Sequence, residues 1–369
     1  MKVGIIGTRG IPNAYGGFEQ FAEYLSLYLV GKGHEVKVYN SHLHPYKQDE
    51  WKGVGIIHCK DWEDRIGTPG QFIYDFNCIM DSRKRDYDVL LILGYTSSSI
   101  WSWLLPKQAV ILCNVDGMEW KRSKFSGPVQ HFLRWAERWA VKSSDKIIAD
   151  SEAIKAYIDK KYAIESLYIP YGAPVAPKRD INILAKYDLK ASAYNMLVAR
   201  MEPENNIEMI LDGHMSSKKS IPFIVVGDAK NAYSNFLRER YQEEESIRFM
   251  GPIFEVEVLD CLRQHCATYF HGHSVGGTNP SLLEAMGCSA LIAAHDNAFN
   301  RAVLATEGLY FNTSDEVAYI IDNEVDELNS TRITGDNIKK IEQVFNWGHI
   351  NAQYEQAMLD LINERQGHE

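Results

Sequence analysis

At 369 residues, with 45% hydrophobic and 24% charged residues, the chain has the make-up of a soluble globular protein long enough for two cores. Its formal charge of −10 argues against general nucleic-acid binding. The six cysteines, at 59, 78, 113, 261, 266 and 288, form no CxxC pair and read as reduced core thiols of a cytosolic protein.

Short apolar runs alternate with helix-length amphipathic segments along the whole chain, the pattern of βα units and parallel sheets. In the first half this predicts strands at residues 3–7, 36–39, 54–58, 89–93, 110–114, 146–149 and 167–169, with helices such as 18–31 and 129–142 between them. The first strand begins at Lys2, leaving no room for a signal peptide, so a cytoplasmic location is expected. Gly4, Gly7 and Gly10 are spaced GxxGxxG rather than GxGxxG, and the second strand ends at Asn40 with no acidic residue for a ribose. A nicotinamide cofactor is therefore not predicted. The following Pro12-Asn-Ala-Tyr-Gly-Gly-Phe-Glu19 is a glycine loop before a helix. Gly16 and Gly17 there would admit a ligand, with Glu19 in the first helical turn; a tight βα turn fits the same residues.

Asp86-Tyr-Asp88 has the look of an acidic metal motif but lies at the amino-terminal end of a strand, away from where open α/β sheets bind ligands. The low-charge stretch 89–106 is broken by Gly94-Tyr-Thr-Ser-Ser-Ser99 into a strand and a short helix, not a membrane span. After the next strand, Asn114-Val-Asp-Gly-Met-Glu-Trp-Lys-Arg122 brings Asp116 forward as a candidate to touch reacting groups, beside a turn kept open by Gly117. Residues 121–146 carry seven basic and two acidic side chains interleaved with Trp135 and Trp139. This region, 120–146, is a candidate peripheral contact with anionic lipid head groups, the ordinary alternative being a solvated helix.

Proline and glycine crowd residues 169–177 and mark a boundary, after which the pattern repeats with strands at 195–199, 223–226, 248–250, 267–270 and 290–293. The expected division is 1–171, 172–346 and a last helix, about 350–363, that packs back on the first domain or forms a dimer contact. Two doubly wound domains face to face would make a cleft beyond their strand ends. Arg200, directly after a strand, suits a diphosphate with its planar fork; a surface salt bridge is the plain alternative. Gly227, Gly251 and Ile253 follow two further strands, the last two as a backbone slot for a base.

The most informative run is His271-Gly-His-Ser-Val-Gly-Gly-Thr-Asn-Pro-Ser-Leu-Leu-Glu-Ala-Met286. Gly276 and Gly277 permit close approach of backbone to a ligand, Asn279 is an N-cap and Pro280 fits the first helical position. Thr278 completes the loop, and N–H groups from about Ser281 onward are expected to point back at it, adding to a helix dipole that favours an anion. Glu284, in an apolar helix start, needs a partner: a ribose diol, or a structural hydrogen bond. His271 and His273 lack Cys or carboxylate partners at ligand spacing, so no zinc site is predicted. Neither a GxSxG elbow nor a P-loop is present.

With these residues in place the chain resembles the family 4 glycosyltransferases of the GT-B fold, two Rossmann-like domains, over essentially its full length. The resemblance implies a nucleotide-diphosphate sugar as donor, no resident cofactor or metal, and retention of anomeric configuration. Arg200 matches the family's phosphate-binding arginine and Glu284 the second of its paired glutamates. Asn205 stands where a phosphate-binding lysine is usual, and Gly276 where the first, sugar-binding glutamate is usual. The long motifs at 7–19, 114–122 and 276–281 are similar to those of bacterial rhamnosyltransferases of polysaccharide assembly. They imply transfer of L-rhamnose from dTDP-L-rhamnose to a lipid-linked glycan acceptor. A nucleotide-sugar epimerase on the same fold, or a non-catalytic sugar-nucleotide-binding assembly protein, are the alternatives these residues leave open.

Overall fold

The computed structural model describes residues 1–14, 16–115, 117–121, 125–227, 231–323 and 325–367. Its apolar runs form strands covered on both faces, as parallel sheets require: every residue of Val-Leu-Leu-Ile-Leu at 89–93 is buried. Contacts divide the chain into two units, Met1–Tyr171 together with Trp347–Glu369, and Gly172–Asn346.

In the first unit the strands are β1 (Lys2–Ile6), β2 (Glu35–Ser41), β3 (Glu50–Trp51), β4 (Val54–Cys59), β5 (Val89–Leu93), β6 (Val110–Val115), β7 (Lys146–Ala149) and β8 (Leu167–Tyr168). Among the described residues they lie in the order β3-β4-β2-β1-β5-β6-β7-β8, parallel except for the β3–β4 hairpin. Strand β3 was not predicted. Two residues are too short for a period to register, but Lys52 and Gly53 both take positive φ (49° and 85°), the conformation of a two-residue hairpin turn.

The last helix, Trp347–Gly367, belongs to this unit and packs along the helix Gly17–Gly31. Tyr354 and Met358 are fully buried; the Tyr354 ring lies 4.7 Å from Phe21, and Trp347 stacks on Tyr24 at 4.6 Å. Polar groups pin it as well: Asn114 Nδ2 donates to the Tyr354 hydroxyl (2.7 Å) and Tyr28 donates to Glu355 (3.0 Å).

Glu137, inside the basic 121–146 run, is 1% exposed. Its carboxylate accepts from Trp120 Nε1 (3.2 Å), Tyr157 (3.1 Å), Lys161 Nζ (2.6 Å) and Tyr162 (2.7 Å). Four donors compensate the buried charge and clamp the helix Gly127–Ser143 to the helix Glu152–Tyr162 and to the turn at Trp120. On the other face of the same helix Arg134, Trp135, Arg138 and Lys142 are exposed.

Asp86 pairs with the Lys2 ammonium and Asp88 accepts the Lys2 backbone N–H at 2.6 Å, so both carboxylates tie down the start of β1. Among the described residues no helix is long and apolar enough to cross a membrane.

The second unit's strands are β9 (Asn195–Val198), β10 (Phe223–Val226), β11 (Ile247–Gly251), β12 (Thr268–His271), β13 (Ile292–His295) and β14 (Leu309–Phe311). Among the described residues they form one parallel sheet ordered β11-β10-β9-β12-β13-β14. Strand β14, three residues after Gly308, was also missed; it extends the sheet by pairing with β13. The strand order runs outward one way from β9 and the other way from β12. That reversal leaves a crevice between the carboxyl ends of these two strands, where doubly wound sheets bind ligands.

Candidate functional site

The crevice at the ends of β9 and β12 receives Arg200 and Asn205 from one side and the loop 272–279 from the other. These two loops are stitched to each other. Asn206 Nδ2 donates to the Gly272 carbonyl (2.7 Å), and both the N–H and the hydroxyl of Ser274 donate to the Glu204 carbonyl (3.0 and 2.8 Å). A side chain at 272 is impossible, since a Cβ there would lie 2.0 Å from the Asn205 carbonyl oxygen.

Arg200 is exposed, and no ion pair engages it among the described residues, so the salt-bridge alternative is not realised. Its carbonyl oxygen is held twice, by the Glu202 N–H (2.8 Å) and by Asn205 Nδ2 (2.7 Å). The backbone is therefore fixed while the guanidinium makes no ion pair with a carboxylate among the described residues.

The helix Pro280–Gly287 begins as its sequence predicts, with Asn279 extended (φ −86°, ψ 120°) as N-cap and Pro280 in the first turn. One expectation is corrected. The N–H groups from Ser281 onward are not spare: Ser281 N–H donates to Asn279 Oδ1 (2.9 Å), and Leu282 and Leu283 N–H donate to the Asn279 carbonyl (3.1 and 3.3 Å). A complete cap consumes the donors it organises. What this helix offers an anion is its dipole rather than free donors at 281–283. The Ser281 hydroxyl is committed too, donating to Val198 O (3.3 Å) while lying 2.6 Å from the Tyr269 hydroxyl, which ties the helix start to β9 and β12.

Glu284 has a protein partner that the sequence reading missed. Its Oε2 accepts from Arg263 Nη2 at 2.6 Å, and the Arg263 side chain is only 3% exposed against 27% for Glu284. Burial works against the Arg263 charge, yet the Glu284 carboxylate beside it raises the guanidinium's pKa above its ordinary value. The helix Val256–His265 that carries Arg263 packs on the Glu284 helix, so the pair is a buried brace with one edge open to solvent.

Gly227 and Gly251 complete the rim. The Gly227 N–H donates to the Gly251 carbonyl (2.9 Å), and a Cβ on Gly227 would fall 2.0 Å from the Ala199 carbonyl oxygen, so glycine lets these strand ends close up. Ile253 is half-buried beyond them, and Thr278 is buried. Gly276 takes φ +128°, a region that L side chains rarely enter. His271 is buried, and burial lowers its imidazole pKa to about 3, keeping it neutral. Among the described residues no group of three or more His, Cys, Asp or Glu is arranged to hold a metal ion.

In the first unit, Asp116 lies outside the described residues. Gly16 is extended (φ −163°) and Gly17 opens the helix Gly17–Gly31, so the conformational freedom expected at Gly16 is not used. Glu19 is 5% exposed and its Oε1 accepts the Arg9 N–H at 2.7 Å, which closes the loop on itself. A feature absent from the sequence reading is a cavity of about 350 Å³ lined by Arg9, Ser41, His44, Asp61 and Glu63. Its polar groups gather from the segments that follow β1, β2 and β4, three sequence-distant turns with no common motif.

Two doubly wound parallel-sheet units in one chain are the GT-B architecture. Residues 1–174 match a family described as a domain of unknown function, DUF1972. No curated protein matches the sequence. Among solved structures, sucrose-phosphate synthase from Thermosynechococcus elongatus superposes with TM-score 0.81 at 17% identity, covering 98% of this chain and 99% of that one. HepE from Anabaena in complex with UDP gives TM-score 0.74 at 16% identity, over 98% and 100%. The trehalose-6-phosphate structure from E. coli bound with UDP-2-fluoro glucose gives 0.74 at 12% identity, over 97% and 98%. At these identities the likeness is one of fold, and it spans both units.

Proposed function

We propose that this chain is a glycosyltransferase that uses a nucleotide-diphosphate sugar, with the donor on the second unit. The observation that carries the reading is Arg200, which makes no ion pair among the described residues, and the dipole of the helix Pro280–Gly287, both at the switch point of a doubly wound sheet. Structures of the same fold hold UDP or a UDP sugar, which supports the same donor chemistry here. The narrower reading is transfer of L-rhamnose from dTDP-L-rhamnose to a hydroxyl of a lipid-linked glycan, with retention, in bacterial surface polysaccharide synthesis. It rests on the resemblance of the motifs at 7–19, 114–122 and 276–281.

In this mechanism the bond between the anomeric carbon and the β-phosphate oxygen breaks as the acceptor oxygen bonds to that carbon. The acceptor's proton passes to the departing phosphate oxygen. Negative charge grows on the diphosphate, and Arg200 with the helix dipole supplies fixed positive potential there. Arg263 holds the Glu284 carboxylate in place to receive ribose hydroxyls, Gly251 and Ile253 border the base, and Asp116 orients the acceptor or the sugar. The first unit, with its cavity, is assigned to the acceptor.

A thermal-shift panel of UDP, GDP, ADP and dTDP sugars tests the donor. One nucleotide family is expected to raise the melting temperature, because a ligand that binds only the folded state stabilises it. A panel without any shift counts against the donor reading.

The exposed Arg134, Trp135, Arg138 and Lys142 support a peripheral contact with anionic lipid through residues 120–146. Vesicles containing phosphatidylglycerol are expected to sediment the wild-type protein and to lose it when Lys121, Arg134 and Arg138 are all replaced by Glu. Equal sedimentation of both proteins would remove the membrane contact.

A further inference from the structure

Three connections on one side of the first sheet form a surface of which the basic run 120–146 is only a part. The steps from β4 to β5, from β5 to β6 and from β6 to β7 all cross the sheet in the same direction. Right-handed crossovers therefore put the helix Gly70–Ser82, the short helix Ser99–Leu104 and the helix Gly127–Ser143 on the same side. The step from β1 to β2 runs the other way, so the helix Gly17–Gly31 covers the opposite side, together with the last helix that packs along it.

Aromatic contacts staple the three elements together. Trp101 Nε1 donates to the Phe72 carbonyl (2.8 Å), the Trp101 ring lies 4.9 Å from Phe76, and the Phe72 ring lies 5.8 Å from Phe132 of the long helix. With Trp101 turned inward, Trp103 stands 74% exposed. On the neighbouring helix Trp135 is 47% exposed, and its Nε1 donates to His131 Nε2 at 2.9 Å. Cations flank both indoles. Arg83 is exposed while donating to the carbonyl of Leu104, the residue after Trp103 (2.9 Å), and Arg134 and Arg138 are exposed around Trp135. The short helix carries no acid, and the one acid of the helix Gly127–Ser143 is the buried Glu137.

We propose that this face seats on an anionic bilayer with Trp103 and Trp135 inserted at head-group depth, so that two tryptophans on different elements add apolar anchorage to the cationic contact. The inference rests on the membrane contact proposed above for residues 120–146 and extends it to a segment outside that run. An indole, with its apolar body and single N–H, favours the membrane interface, and cations beside it meet anionic head groups. Anchorage beyond charge matters here because the chain carries −10 overall, and only charges within a Debye length of the surface take part. Held on a stapled surface, the two side chains have little freedom to lose on insertion.

The test is flotation of the full chain with vesicles of phosphatidylglycerol and phosphatidylcholine, at low salt and at about 1 M NaCl, where the screening length is about 3 Å. The double variant Trp103→Ala with Trp135→Ala removes both indoles and leaves every cation. Wild type is expected to float at low salt and to keep a measurable bound fraction at high salt. The double variant should bind about tenfold more weakly at low salt, lose the salt-resistant fraction and melt close to wild type, since both indoles are exposed. Should it melt lower, Trp103→Ala alone carries the test, with an expected loss of about threefold or more. Equal flotation of variant and wild type in both salts would overturn the proposal while leaving the charge contact standing. A wild type that stays off the vesicles but forms a dimer, which the variant dissolves in sedimentation velocity, would give the face to a second copy and overturn it as well. If the wild-type chain neither floats at low salt nor self-associates, the membrane contact itself fails and this inference falls with it.

Discussion

Arg200→Ala is expected to lower turnover at saturating donor by about a hundredfold to a thousandfold, the usual cost of removing one preorganised charge from a developing anion. The same variant should fold normally. The Arg200 side chain is exposed and takes part in no ion pair among the described residues, while its main chain is fixed through its carbonyl by Glu202 and Asn205, bonds that alanine keeps. Melting temperature and turnover should therefore separate cleanly. Arg200→Lys should recover only part of the loss, because an ammonium restores the charge but not the planar fork that spans two phosphate oxygens. The measurement is initial rate of nucleoside-diphosphate release with saturating donor and acceptor. Near-wild-type turnover in Arg200→Ala would place the phosphate charge elsewhere.

Much of this arrangement is legible in residue types alone. The parallel strands announce themselves because both faces are covered, leaving unbroken apolar runs such as Val89 to Leu93. The helix start at Asn279-Pro280 is written in the capping chemistry of those two residues. What escapes are pairings between distant positions. Arg263 looks like an ordinary polar residue of an amphipathic helix, and nothing local says that it is 3% exposed and paired with a carboxylate 21 residues on. Glu137 looks like one acid in a basic surface run, yet its four donors come from two other segments, the turn at Trp120 and the helix Glu152–Tyr162. His273 reads as half of a failed zinc site until Asn205, 68 positions away, is seen against its ring. Even a correctly read cap misleads in one respect: the sequence suggests that Asn279 leaves N–H donors for a ligand, whereas in the fold it uses them.

The Arg263–Glu284 pair yields the second large effect, and it bears on how any loss of activity at Glu284 should be interpreted. Glu284→Ala leaves the buried Arg263 guanidinium without its counter-charge. Breaking a buried pair this way costs about 3 kcal/mol, the low end of the usual range because Glu284 keeps 27% exposure. In a unit of this size that corresponds to a fall in melting temperature on the order of 6 to 12 °C. An inactive Glu284→Ala protein would thus say little about ribose binding. The double variant Arg263→Met with Glu284→Leu removes both charges and fills their space with apolar atoms, and it is expected to recover most of the lost stability. If Glu284 also receives ribose hydroxyls, the recovered fold will still bind nucleoside diphosphate at least tenfold more weakly than wild type. Should the double variant regain both melting temperature and nucleotide affinity, Glu284 is a brace for its helix, and the ribose must find its hydrogen bonds from another group on the rim.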